Sequence, residues 1–187
     1  MLYLIGGPSR SGKTLLARQL LRERGLPCFS TDYLTSGLED GAPALGVRHD
    51  LQSRLRGERV WPVLAGVLRN IAEVEPGYVV EGDVLLPGLV APLATEYGGA
   101  VRVCFLGFAR AAVEAKCASI RSFPGPVNDW VAGMDEGGLV ALVEEMAEFS
   151  RFLETECRGP GLRYFDGSAD FAAALQEAKA YLLDGTA

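Results

Sequence analysis

The chain holds a single histidine, and its four cysteines (Cys28, Cys104, Cys117 and Cys157) are scattered with no C-x-x-C pair. Zinc sites need clustered Cys and His, and stapled secreted folds need paired Cys, so neither is expected. Positive charge is short as well: 18 Lys and Arg face 24 Asp and Glu, a formal net charge of −6. That balance argues against nucleic acid as a partner, because such a surface needs a basic face. No apolar run approaches the ~20 residues that cross a bilayer, so no membrane partner is expected. Met1 leads directly into an apolar segment, which leaves no room for a signal peptide. With thiols expected to stay reduced, the expected location is cytoplasmic. What the chain does have is apolar content, 49% hydrophobic over 187 residues. That is enough for one substantial core, and a single domain over 1–187 is expected.

The most specific string is Gly7-Pro8-Ser9-Arg10-Ser11-Gly12-Lys13-Thr14. It fits G-x-x-x-x-G-K-[ST], the phosphate-binding P-loop or Walker A motif. Average residue frequencies make it a chance event in well under ~1% of chains this long. Leu2-Tyr3-Leu4-Ile5 before it reads as a buried strand, and Leu16 and Leu20 after it share one helical face, so strand, glycine turn and helix follow in the order the motif requires. Gly7 and Gly12 free the backbone to point several N–H groups into one concavity, and the helix start adds its unpaired N–H groups and dipole. The nucleotide-binding set is therefore Gly7, Pro8, Ser9, Arg10, Ser11, Gly12, Lys13, Thr14 and the adjoining Leu15. Lys13 is placed to reach the β- and γ-phosphates, and the Thr14 hydroxyl to ligate Mg²⁺.

Helix 1 is expected from Lys13 to about Glu23, stopped by Gly25 and Pro27. Pro27-Cys28-Phe29-Ser30 reads as a second strand ending at Thr31-Asp32, which puts the Asp32 carboxylate on the same sheet edge as the phosphate loop. Residues 35–46 read as a surface loop, and two helical pieces with a break at Gly57 and Pro62 are expected to follow. The first piece carries Arg48, His49, Arg54 and Arg56, either a solvated face or a grip for an anionic acceptor. Tyr78-Val79-Val80-Glu81-Gly82-Asp83 is a strand ending in acids, as a Walker B element does, with Glu81 placed on the metal side and Asp83 the alternative. A strand over 101–106 precedes a helix with Arg110, Lys116 and Arg121, and a Pro/Gly turn follows. A lid around 116–137 is expected there, with Arg121 its foremost cation. The stripe Leu139, Leu142, Val143, Met146, Phe149, Leu153 reads as core, and a last strand and helix close the chain. Alternating strands and helices predict an α/β three-layer sandwich, a five-stranded parallel sheet in the order 2-3-1-4-5.

With those strings in hand, the chain resembles the small P-loop kinases, a superfamily that includes adenylate, shikimate and gluconate kinases, chloramphenicol phosphotransferase and the zeta-toxin kinases. The phrases from Ile5 to Thr14, Ser30-Thr31-Asp32 and Val80-Glu81-Gly82-Asp83-Val84-Leu85-Leu86-Pro87 look most like bacterial proteins labelled 2-phosphoglycerate-kinase-like. The resemblance implies ATP and Mg²⁺, and a small-molecule acceptor phosphorylated on a hydroxyl, with Asp32 as base or clamp beside Lys13 and Arg121. It departs from nucleotide kinases in lacking closely spaced lid arginines. A nucleoside monophosphate kinase and a non-kinase nucleotide-binding regulator are the alternatives. A G-protein is disfavoured, since no Asn-Lys-x-Asp string occurs.

Overall fold

A computed structural model describes residues 1–123, 129 and 131–184. Five parallel strands form one sheet: β1 (Leu2–Gly6), β2 (Cys28–Ser30), β3 (Tyr78–Gly82), β4 (Val101–Gly107) and β5 (Arg163–Asp166), ordered β2-β3-β1-β4-β5. The expected strand order is the observed one. Every residue of β1 is buried, which its unbroken apolar run demands of a central parallel strand. Its register sets Ile5 beside Glu81 and Gly6 beside both Gly82 and Phe105. The chain crosses from β1 to β2 on one side of the sheet and later from β3 past β1 to β4 on the other, and a crevice opens at the carboxyl ends of the strands where the order reverses.

Helices cover both faces. On one, α3 (Ser53–Val74), α4 (Pro87–Tyr97) and α6 (Glu136–Arg158) bury Leu64, Leu68, Val90, Leu93 and Leu153 against Leu4, Val80 and Phe105. On the other, α1 (Lys13–Arg24) and α7 (Phe171–Leu183) bury Leu16, Leu20, Leu175 and Leu182 against Tyr3, Ile5 and Cys104. Gly25, at φ 67°, closes α1 by donating its N–H to the Leu21 carbonyl.

Three elements depart from the sequence expectation. Residues 31–41 form a helix, α2 (Thr31–Gly41), which takes the expected end of strand 2 and much of the surface loop expected over 35–46. Ser30 caps it by accepting the Asp32 N–H, and Leu34 and Leu38, one turn apart, pack on the core despite the Gly- and acid-rich composition. The two pieces expected around Gly57 and Pro62 are one continuous helix, because Gly57 is buried in a packed contact and Pro62 faces solvent. Finally, α5 (Val113–Ser122) starts after Arg110. The expected Pro/Gly turn at 124–126 and its neighbours Asn128 and Trp130 lie outside the described residues.

Candidate active site

The 7–14 loop, expected to hold phosphate, is built on backbone conformations that few residues tolerate. Gly7 has φ 143°, and a Cβ there would lie 2.1 Å from the Leu106 carbonyl oxygen; Gly12, at φ 97°, abuts the Phe171 ring. Arg10 is left-handed at φ 61°, a local strain held by two tertiary contacts. Its guanidinium pairs with Asp129, and its carbonyl accepts from Lys116 Nζ at 2.9 Å. Within the loop, Lys13 is only 8% exposed and its Nζ donates to the Pro8 carbonyl at 2.8 Å. The Ser11 hydroxyl is buried and lacks a hydrogen-bond partner among the described residues.

At the end of β3, Glu81 Oε1 accepts a 3.2 Å hydrogen bond from Thr14 Oγ1, so the two residues expected on the metal side meet. Burial pushes the Glu81 carboxyl above its ordinary range, against the pull of Lys13. One residue on, Gly82 admits no side chain, because its Cβ would fall 1.7 Å from Thr31 Oγ1. That close approach presses the start of α2 onto β3 and sets Asp32, in the first turn of α2, beside the same acids. Asp32 opens onto solvent, yet the surrounding protein, and then the charge of Asp83, raise its carboxyl; Lys13 and Arg56 act the other way. Asp83 itself accepts from Ser53 Oγ at 3.1 Å and from the Arg56 guanidinium.

A cleft of about 780 Å³ runs from Pro8, Ser9 and Asp32, past the 49–56 segment and Asp83, to Met146, Phe149 and Phe152 on α6. The core stripe of α6 thus has a second role at its edge. Met146 is buried, but it also borders this cleft, and Phe149 and Phe152 stack at 5.9 Å between ring centroids along the wall. Periodicity identified the apolar face and not its free margin, since one spacing serves core and cleft alike.

The three cations of the expected lid have separate surroundings. Arg121 is exposed, and its guanidinium donates to the Met134 carbonyl at 2.6 Å. Arg110 pairs with Asp166 at 2.7 Å and with Glu154. Lys116 is the one bonded to the phosphate loop, with its ammonium 4.1 Å from the Phe108 ring centroid. Burial, and then the Arg10 charge, bring its pKa down to about 8. Nothing in the spacing of the sequence distinguished it, because only the packing of α5 aims it at Arg10.

The residues present fit a magnesium nucleotide. Oxygen donors of Thr14 and Glu81 converge at the loop, and the orphaned Ser11 hydroxyl lies within it. No cluster of three His, Cys, Asp or Glu able to hold a metal occurs among the described residues. Mg²⁺ suits so sparse a protein shell, because it keeps waters and takes further oxygens from phosphates. Among the described residues no helix is long and apolar enough to cross a membrane.

No protein-family model matches the sequence, and no curated protein does. Solved structures do match in three dimensions. A gluconokinase from Sinorhizobium meliloti 1021 superposes with a TM-score of 0.59 at 19% identity, over 96% of this chain and 90% of its own. A shikimate kinase from Bacteroides thetaiotaomicron gives 0.56 at 14% identity, over 98% and 96%. The shikimate kinase from Acinetobacter baumannii in complex with shikimate gives 0.54 at 14% identity, over 97% and 90%. Over nearly its whole length, the chain therefore has the fold of the P-loop small-molecule kinases.

Proposed function

We propose that the protein is a Mg²⁺- and ATP-dependent phosphotransferase acting on a hydroxyl of a small-molecule acceptor. The observation that carries this is the juxtaposition of the Lys13–Thr14–Glu81 corner with Asp32 at the mouth of a ligand-sized cleft. Structural likeness to gluconokinase and shikimate kinase supports it. Lys13 exchanges the Pro8 carbonyl for phosphate oxygens, and the loop N–H groups and the Ser11 hydroxyl surround the same phosphates. Thr14 and, through water, Glu81 would hold Mg²⁺, which when bound neutralises charge on the β- and γ-phosphates.

Asp32 accepts a hydrogen bond from the acceptor hydroxyl and aims its oxygen at the γ-phosphorus. As the new O–P bond forms, the bond to the β–γ bridging oxygen breaks, and ADP leaves with that electron pair. The hydroxyl proton passes to Asp32 and on to solvent. Positioning supplies most of the acceleration, so the carboxylate needs only a modest basicity. Of the three lid cations, Lys116 is the one bonded to the loop, while Arg121 would have to leave the Met134 carbonyl to join it.

Transfer from γ-labelled ATP to a panel of alcohols, sugars, hydroxy acids and nucleoside monophosphates tests the proposal, with Lys13→Ala as control. The expected result is label on a hydroxyl compound, abolished in the variant. Label on a nucleotide phosphate would make it a nucleotide kinase. Absence of acceptor-dependent transfer would point to the regulator.

A further inference from the structure

Resting on the kinase reading, we infer that the acceptor is a non-anionic alcohol with a flat apolar portion, bound against the Phe149–Phe152 wall with its hydroxyl at Asp32. Arginines at the cleft would grip an anionic acceptor if they were available. Arg56 is not. Its NH1 donates to the His49 and Leu51 carbonyls at 2.7 and 2.9 Å, and its NH2 to Ser53 Oγ and Asp83. Four bonds tie that guanidinium into the cleft wall, so it shapes the wall and neutralises Asp83. Arg48 is taken by Asp50, and His49 by Glu39. Arg54 pairs with Glu58 at 3.4 Å and lies 5.1 Å from the Phe152 ring centroid.

Three of the cleft's carboxylates are in the opposite condition, although Asp50 and Asp83 are paired. Asp32, Glu145 and Glu148 line it, and none has an ion-pair partner within salt-bridge distance among the described residues. An anionic acceptor would therefore meet three acids without ion-pair partners and an Arg56 committed to Asp83, and the loosely paired, solvent-exposed Arg54 would offset only part of that like-charge repulsion. The opposite wall offers what such an acceptor cannot use. Phe149 and Phe152 are half-buried, their rings within 13° of parallel, and they line the cleft next to Met146, with the exposed Arg54 guanidinium over the Phe152 ring as the group a planar ligand would displace. A planar apolar group stacks there at little cost in desolvation. A neutral alcohol satisfies the cleft, and an amino alcohol gains further from Glu145 and Glu148.

The test sets three classes of acceptor against the wild-type protein with labelled ATP and Mg²⁺: neutral aryl alcohols (1-phenyl-1,2-ethanediol, adenosine), aryl amino alcohols (2-amino-1-phenylethanol), and anions (gluconate, glycerate, phosphoglycerate). Ligand-observed NMR follows binding of the same compounds without turnover. Expected is binding and transfer for the first two classes, with kcat/KM at least about tenfold above every anion. Phe152→Leu should raise KM for the aryl alcohols about fivefold while kcat holds, since the wall binds the body and not the reacting hydroxyl. Because Phe152 also touches the core, Glu148→Gln is the second arm. It should raise KM for amino alcohols several-fold more than for neutral ones, and an equal effect on both would remove Glu148 from amine recognition. Efficient transfer to an anion alone overturns the acceptor class and leaves the kinase standing. Loss of Lys13-dependent transfer to every compound, with aryl alcohols still bound, would sink the kinase reading and keep the cleft assignment. No binding of aryl alcohols, with or without transfer elsewhere, overturns the inference.

Discussion

At the scale of single residues, the site holds two side chains in protonation environments that work against folding. Asp32 is raised by its surroundings and by Asp83. A carboxyl whose folded pKa exceeds the unfolded 3.8 loses stability as pH climbs from the lower value through the higher, and the full cost remains at neutral pH. Asp32→Asn should therefore raise the melting temperature at pH 7 while it lowers kcat about 10²-fold or more. Calorimetry and transfer assays on one sample check both halves; a lower melting temperature or an intact kcat counts against the role given to this carboxylate. Lys116 carries the other sign. Its folded value near 8 lies below the ordinary 10.5, so the unfolded chain holds the proton longer and stability rises with pH between the two. A lysine protonated beside phosphate should also make ATP affinity fall as pH passes about 8. Lys116→Gln should bind ATP about tenfold more weakly at pH 7 and show a flat profile from pH 7 to 9. A variant that keeps the wild-type slope would place the titrating group elsewhere.

Among the elements, close backbone approaches fix where the site residues stand, and one of them decides between two competing effects. Gly57 lies inside α3, where alanine would gain about 1 kcal/mol of helix propensity. Its Cβ would, however, come within 2.9 Å of both the Val84 carbonyl oxygen and Leu86 Cδ1. Overpacking against backbone costs about 1–3 kcal/mol, so Gly57→Ala should be net destabilising. It should also raise the acceptor KM, because α3 carries Arg56 to Asp83; urea unfolding with steady-state kinetics measures both, and a stabilised variant would show the contact to be slack. The sequence carried the sheet order, the glycine turn between β1 and α1, and the meeting of Thr14 with Glu81, since each rests on a motif or a strand-to-helix alternation. It did not carry α2, whose start depends on one Ser30 hydroxyl and whose Leu34 and Leu38 are diluted by glycine and acids. Nor did it separate Lys116 from Arg121, or the core side of α6 from its cleft side. Those distinctions arise when α5 and α6 pack beside the loop, at separations in the chain that no local pattern spans.

Across the whole molecule, the parallel sheet divides two apolar cores and gathers the charges that need a ligand at one edge. Glu81 is 5% exposed with its carboxyl raised by burial against the pull of Lys13, Asp32 stands next to it, and the Lys13 ammonium donates to a loop carbonyl. Buried like charges left uncompensated weaken the free protein, and a ligand that brings cations to the acids and phosphates to the lysine recovers that stability. Saturation at a hundred times Kd adds about 2.7 kcal/mol, which for a domain of this size raises Tm by roughly 5–10 °C. ATP with Mg²⁺ should produce a shift of that order, ATP with a chelator a smaller one, and Lys13→Ala almost none. An equal shift in the Lys13 variant would mean that nucleotide binds away from the loop. A shift indifferent to the metal would remove Thr14 and Glu81 from its shell, leaving their 3.2 Å hydrogen bond as a strut between α1 and β3.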